Sequence, residues 1–271
     1  MTGRFPGLDS LEKLADRDGA EIWLARRPDG SPVAVKLLTS SRPDLVARFE
    51  AEGRLLKAVG GRHGLIGCVA VLDDPKALVL EYLGGGSLRD QIGDRPAGLP
   101  VAEGCRILAR VAAAVAWLHR HDIIHRDIKP SNVLLGAGGA VRLIDLGVAA
   151  FGRPPRGLPE GFMEEEVGTL GYTAPELLRN PATATVAVDI YGLGATWYET
   201  LTGHLPYDFG PTEPTESFRA RIQDGERAVP LRSRGEFPLA LAAAVDAALA
   251  VEPGGRPEAA AALAEQIAEF A

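Results

Sequence analysis

The segment His125-Arg126-Asp127-Ile128-Lys129-Pro130-Ser131-Asn132 holds a carboxylate, an ammonium and an amide within six positions, at Asp127, Lys129 and Asn132. Thirteen positions after Asn132 a second carboxylate, Asp145, opens a short break, Asp145-Leu146-Gly147, between the apolar residues Ile144 and Val148. Phosphoryl transfer from a nucleotide needs this inventory: oxygen ligands for Mg²⁺, a cation for the moving phosphate and an acceptor for the nucleophile's proton. A bare His-x-Asp would say little, since both residue types also cap turns. The signal is the ordered set.

These groups need elements to position them, and the chain supplies two kinds. The first eighty or so residues read as strands with one helix. Ile22-Trp23-Leu24 and Val33-Ala34-Val35-Lys36-Leu37-Leu38 are β-rich runs separated by the turn signal Arg27-Pro28-Asp29-Gly30. A helix is expected to start near Ser41-Arg42-Pro43-Asp44, with Ser41 as cap and Pro43 in the first turn. On it Leu45, Phe49, Leu56 and Val59 share a stripe that also contains Glu52, whereas Glu50 points away. A carboxylate on a buried face must be paired or neutralised, and Lys36, on an otherwise apolar strand, is its natural partner. The apolar run Ala77 to Leu83 then enters Gly84-Gly85-Gly86, as a hinge between two lobes requires. From Val101 the pattern turns helical, through Ile107, Val111, Val115 and Leu118 to His119.

Taken together, the His125–Asn132 and Asp145–Gly147 segments, Val-Ala-Val-Lys at 33–36 and Gly168-Thr169-Leu170-Gly171-Tyr172-Thr173-Ala174-Pro175-Glu176 resemble eukaryotic-like serine/threonine protein kinases, the bacterial Hanks-type enzymes included. The resemblance covers roughly residues 8 to 268. It implies an α+β, bilobal protein-kinase fold: a small β-rich N-lobe with one regulatory helix (residues 1–83) and a larger, mainly helical C-lobe (84–271). It implies ATP as cofactor with Mg²⁺, Mn²⁺ being an alternative, and transfer of the γ-phosphate to a Ser or Thr hydroxyl of a protein substrate. By this likeness Lys36, oriented by Glu52, holds the α- and β-phosphates. Asp127 accepts or orients the hydroxyl proton, Lys129 neutralises the γ-phosphoryl group, Asn132 and Asp145 bind the metal, and Thr169 bonds into the catalytic site. The backbone of Glu81 to Leu83 would meet the adenine edge, Leu80 would be gatekeeper, and Ile22, Ala34 and Leu134 would sandwich the ring. His125 is assigned to packing. Leu56, Val69, His125 and Leu146 would form the family's regulatory spine, Leu146 replacing the usual Phe. Glu176 is expected to pair with Arg256, and Asp189 to brace the catalytic loop.

Two departures stand out. Where the family's phosphate loop has three glycines, this chain has Ala15, Arg17 and Ala20, with Gly19 out of register. Alanine is a mild change, but Arg17 places a cation at the tip, either reaching the phosphates or pointing into solvent. Nucleotide binding is therefore expected to be weaker than in a typical kinase. Secondly, no Ser, Thr or Tyr lies between Asp145 and Gly168, so the usual activating phosphorylation has no acceptor there. Glu164-Glu165-Glu166 stands about where the phosphate would be, with Arg126 as the expected counter-ion, which implies activity without activation-loop phosphorylation.

Composition narrows the classes. The 271 residues, with 46% hydrophobic and 24% charged content, are ordinary for a water-soluble protein. A net charge of −7 argues against nucleic-acid or anionic-membrane partners. The only cysteines, Cys68 and Cys105, are too few for a disulfide framework, which fits a reducing cytoplasm. Met1 to Leu14 has no signal-type apolar core, and Phe237 to Val251 is short for a membrane span and carries Asp246. The Ala, Gly and Arg content looks like a high-GC bacterial genome. Two rival functions are open at this point. A pseudokinase or ATP-binding scaffold is suggested by the degraded glycine loop but has no need of Lys36, Asp127, Lys129, Asn132 and Asp145. A small-molecule phosphotransferase would share the Asp, Asn and metal Asp, but not Ala174-Pro175-Glu176 with Arg256. Oligomeric state and the identity of the protein substrate are not encoded in these motifs.

Overall fold

Val33, Val35 and Leu37 alternate with Ala34, Lys36 and Leu38, and this period of two decides what each face of the first sheet does. The computed structural model describes residues 2–17, 19–151, 169–210 and 212–271. It divides into two compact units, Met1–Gly84 with Ile144–Gly147, and Gly85–Leu143 with Val148–Ala271. The first is β-rich with one helix and the second mainly helical, the expected α+β kinase organisation. One amendment to a linear division is that Ile144–Gly147, and with it Asp145, belongs to the first unit.

The first unit contains β1 (Thr2–Phe5), β2 (Leu8–Arg17), β3 (Ala20–Arg26), β4 (Pro32–Leu38), α1 (Pro43–Val59), β5 (Cys68–Asp73) and β6 (Lys76–Glu81). Its sheet is antiparallel, in the order β1-β2-β3-β4-β6-β5. One face is a dry cluster of Phe5, Ala25, Val33, Val35, Leu37, Ala77 and Val79, edged by Leu8 and Trp23. On the other face Ile22, Ala34 and Lys36 are only half-buried. Helix α1 buries Phe49, Glu52, Leu55 and Leu56. It comes so close that a Cβ on Gly53 would lie 2.8 Å from Leu78 Cδ2.

The start of α1 corrects one expectation. Its N-cap is Arg42, not Ser41, and no side chain caps it. Pro43 at the first helical position forces its predecessor into extended backbone (φ −63°, ψ 127°), so the boundary falls one residue later. Arg42 instead reaches Asp44 in the first turn, at 2.7 Å.

The second unit contains α2 (Leu88–Ile92), α3 (Val101–His119), β7 (Ile123–Ile124), β8 (Val133–Leu135), β9 (Val141–Leu143), β10 (Ala150–Phe151), α4 (Pro175–Arg179), α5 (Val186–Thr202), α6 (Thr215–Gln223), α7 (Leu239–Ala248) and α8 (Ala260–Ala268). Ser87 opens α2 with a reciprocal capping box to Asp90. Helix α5 is buried along almost its whole length, with Ile190, Leu193, Trp197 and Leu201 in the core, while α3 contributes Leu108, Val111, Val115 and Leu118. Strands β8 and β9 form a short hairpin that follows the catalytic segment directly, and β7 pairs with β10. No helix among the described residues is long and apolar enough to cross a membrane.

Candidate active site

In the first unit the predicted ion pair is present. Lys36 on β4 directs Nζ to Glu52 Oε2 on α1 at 2.6 Å, and Asp145 Oδ1 lies 3.6 Å from the same nitrogen. Glu52 is 3% exposed. Burial disfavours the Lys36 ammonium, but the Asp145 and Glu52 carboxylates outweigh it and hold its pKa above the ordinary lysine range. Glu52 is also pushed up, by burial first and by the Asp145 charge, with Lys36 pulling the other way. A buried pair of this kind costs about 3–5 kcal/mol when one partner is removed, because the other charge is stranded. Asp145 has φ +69°, a left-handed backbone that Asp tolerates better than most residues. A Cβ on Gly147 would sit 3.3 Å from Asp145 Oδ1 and 3.5 Å from Glu52 Oε2, so a side chain there would crowd both carboxylates.

Register places the remaining first-unit candidates. Directly opposed residues share a face, and the pairs Ala15↔Ile22, Ile22↔Lys36 and Ala34↔Leu80 put Ile22, Ala34 and Leu80 on the Lys36 side of the sheet. Glu81 ends β6, its carboxylate accepting from Gly67 N at 3.0 Å, and Leu83 follows, half-buried. The degenerate glycine loop is a hairpin whose ladder runs to Arg17↔Ala20, with Gly19 at φ +77°. Arg17 is exposed at its end. Val69 does not fit the spine position: it is 47% exposed. Along β5 burial alternates, Ala70 and Leu72 packing on the core cluster while Val69 and Val71 are exposed on the other face.

The second unit gathers the catalytic segment around Asp127. Its Oδ2 accepts from Lys129 Nζ at 2.7 Å and from Asn132 Nδ2 at 2.9 Å, and its Oδ1 accepts from Thr169 Oγ1 at 3.1 Å. Asn132 Nδ2 also donates to the Asp127 carbonyl at 2.8 Å, and Lys129 donates to the Thr169 hydroxyl. Beneath lies Asp189, 1% exposed, near the start of α5. Its Oδ2 accepts from His125 N and pairs with His119 Nε2, and its Oδ1 accepts from Arg126 N, each at 2.8 Å. Those bonds hold Arg126 at φ +68° and turn the loop toward Asp127. His125 is fully buried, as its packing role requires. Leu134 lies on β8 in this unit.

The segment after Thr169 is pinned twice. Arg256 forks onto Glu176 at 2.5 and 2.8 Å, donates to the carbonyls of Ala187, Ala250 and Val251, and lies 4.9 Å above the Tyr191 ring. Tyr172 bonds Glu199, which Arg89 also forks at 2.6 and 2.8 Å. The Arg89–Glu199–Tyr172 group and the His119–Asp189 bond were not read from the sequence; no spacing signal links residues 110 or 70 positions apart. Glu164, Glu165 and Glu166 lie outside the described residues.

A lysine–glutamate pair on a strand and helix in the first unit, and an Asp–Lys–Asn loop with a threonine partner and a Glu–Arg-pinned segment in the second, are features that the resemblance to protein kinases led us to expect. The sequence profile of the protein kinase domain matches residues 18–267, and the chain belongs to that family. It is similar to the serine/threonine-protein kinase PkaB of Streptomyces coelicolor, 36% identical over 223 residues, which is 78% of this chain and 51% of that protein. CBL-interacting protein kinase 21 of Oryza sativa subsp. japonica is 33% identical over 227 residues, covering 80% and 41%. The serine/threonine-protein kinase PknK of Mycobacterium tuberculosis is 31% identical over 271 residues, covering 96% and 23%. The chain therefore spans between 23% and 51% of the length of these relatives.

Proposed function

We propose that this chain is an ATP-dependent serine/threonine protein kinase. The observation that carries the reading is the Asp127 carboxylate held by Lys129, Asn132 and Thr169 at 2.7 to 3.1 Å, over the buried Asp189. In the reaction the substrate hydroxyl oxygen attacks the γ-phosphorus and its proton passes to Asp127. The bond from phosphorus to the bridging oxygen breaks, ADP leaves, and Lys129 balances charge on the group in flight. Lys36, oriented by Glu52, holds the α- and β-phosphates. The backbone of Glu81 to Leu83 meets the adenine edge beside the gatekeeper Leu80, and Ile22, Ala34 and Leu134 flank the ring.

The donor set suits a hard divalent cation. Asn132 gives its amide nitrogen to Asp127, which leaves the amide oxygen as its ligating end, and Asp145 supplies a carboxylate. Among the described residues no cluster of three or more His, Cys, Asp or Glu could hold a metal alone. Mg²⁺ keeps water and phosphate oxygens around one or two protein ligands. Bound there, Mg²⁺ (or Mn²⁺) would neutralise phosphate charge.

A scaffold role gains nothing from these groups, and the Arg256-pinned segment favours a protein substrate over a small molecule. The lack of a hydroxyl between Asp145 and Gly168 supports activity without activation-loop phosphorylation, with Glu164–Glu166 standing in for the phosphate. Free Cys68 and Cys105 suit a cytoplasmic site of action.

The test is intact-mass spectrometry after incubation with MgATP and a generic acceptor protein, wild type beside Asp127→Asn. Phosphate added by wild type and absent with the variant is expected. Nucleotide binding by wild type without transfer would favour the scaffold. Charge reversal of Glu164–Glu166 is expected to lower activity, and unchanged activity would remove that part of the reading.

A further inference from the structure

We propose that Arg17 and Lys36 form a two-cation clamp on the nucleotide's phosphate chain, the Arg17 guanidinium taking the place of a main-chain cradle. This rests on the reading of the chain as an ATP-using kinase. A glycine loop grips phosphates with main-chain N–H groups left free of a sheet. Here Ala15, Arg17 and Ala20 stand at the three glycine positions. The β2–β3 ladder runs through Ala15↔Ile22 and Asp16↔Glu21 to Arg17↔Ala20. The Gly19 carbonyl accepts from Thr39 N, Ser40 N and Thr39 Oγ1 at 2.9 to 3.0 Å. Gly19 is itself wedged, since a Cβ there would lie 2.8 Å from Ser40 Cβ. Strand pairing thus reaches Arg17 itself.

Register supplies the alternative. Arg17 is opposite Ala20, which is opposite Leu38, and Ile22 is opposite both Ala15 and Lys36. Ala15, Arg17, Ala20, Ile22, Lys36 and Leu38 therefore line one face. Arg17 is two strands over from Lys36 and two residues further along, a Cα separation of roughly 12 Å, which two long side chains can close onto one phosphate chain. Its neighbours on that face, Ala15 and Ala20, are small. Two acids of the hairpin, Asp16 and Glu21, are engaged on the opposite face, where Lys13 Nζ bridges them at 2.7 and 2.9 Å. An arginine is the suitable residue, because its planar fork binds phosphate oxygens two at a time.

The experiment is calorimetric binding of ATP, ADP and adenosine, with Mg²⁺, to wild type, Arg17→Ala, Arg17→Lys and Arg17→Glu. For Arg17→Ala, ATP is expected to weaken about tenfold or more while adenosine changes less than about twofold. Arg17→Lys should fall between, and Arg17→Glu should lose more ATP affinity than Arg17→Ala with adenosine still unmoved. Equal loss of ATP and adenosine, which a merely structural role would give, overturns the clamp, and so does unchanged ATP binding in Arg17→Ala. Wild type that binds neither ATP nor adenosine would overturn the kinase reading itself, a result distinct from either.

Discussion

The two halves of the catalytic apparatus are built on opposite plans. Around Lys36 the partners come from far along the chain: Glu52 from the one helix of its unit and Asp145 from a four-residue segment of chain that returns to it. One short contact, 2.6 Å, ties the strand to the helix. Around Asp127 the partners are local, Lys129 and Asn132 on the same loop, with Thr169 joining later. The loop's shape is set from below by Asp189 through two main-chain bonds. A site held by one long-range ion pair can be dismantled by a single charge, whereas a site held by its own backbone resists until the support is cut. The first half should thus govern nucleotide geometry and the second the chemical step.

The widest separation is expected from Asp127→Asn, which should lower kcat by about 10²–10⁴-fold with ATP affinity nearly unchanged. A parallel loss of ATP binding would break the division between the halves. Asp189→Ala should cost about 3–5 kcal/mol of unfolding free energy, because three donors lose a buried carboxylate. Urea denaturation reads this, and a cost below about 1 kcal/mol would mean that the loop is supported otherwise. Lys36→Met comes next, with kcat/KM for ATP down by about 10²–10³-fold. An unaltered value would remove Lys36 from the phosphates.

Glu52→Gln should be milder, about tenfold at neutral pH, and pH should expose its origin. Burial raises the Glu52 pKa above its ordinary value of 4.5, so it takes up a proton before exposed carboxylates do. As the pH falls from neutral towards that value the wild-type pair is neutralised, and the kcat/KM ratio of wild type to Glu52→Gln should shrink towards one. A ratio flat across that window would show that charge is not what Glu52 contributes. The smallest effect belongs to Val69→Ala, expected within about 0.5 kcal/mol by thermal or urea unfolding, since that side chain faces outward.

Much of this was legible because short-range rules were enough. The Asp127–Asn132 loop is recognisable from spacing, since its partners are neighbours in the chain. Glu52 could be picked from Glu50 because helical periodicity put only one of them on the buried stripe. Local rules failed where one residue of slippage matters. Val69, placed in the spine by resemblance, lies on the exposed face of β5, and Pro43 moved the cap of α1 from Ser41 to Arg42. They were silent where partners are remote, as with His119 on Asp189, or Arg89 and Tyr172 on Glu199.

The amino-acid sequence by itself determined the chemistry this protein has to work with. It set the carboxylates, amide and lysines in order, the alternation that gives each strand a dry face and an open one, and the loss of the glycine loop. Only the tertiary structure decided which charges meet: that Asp145 belongs with Lys36, that His119 shares Asp189 with the loop's main chain, and that Arg17 shares a face with Lys36. The reason is physical. Periodicity and capping act over a few residues, where chain geometry alone sets the neighbours, whereas a buried charge must find its partner wherever folding brings one.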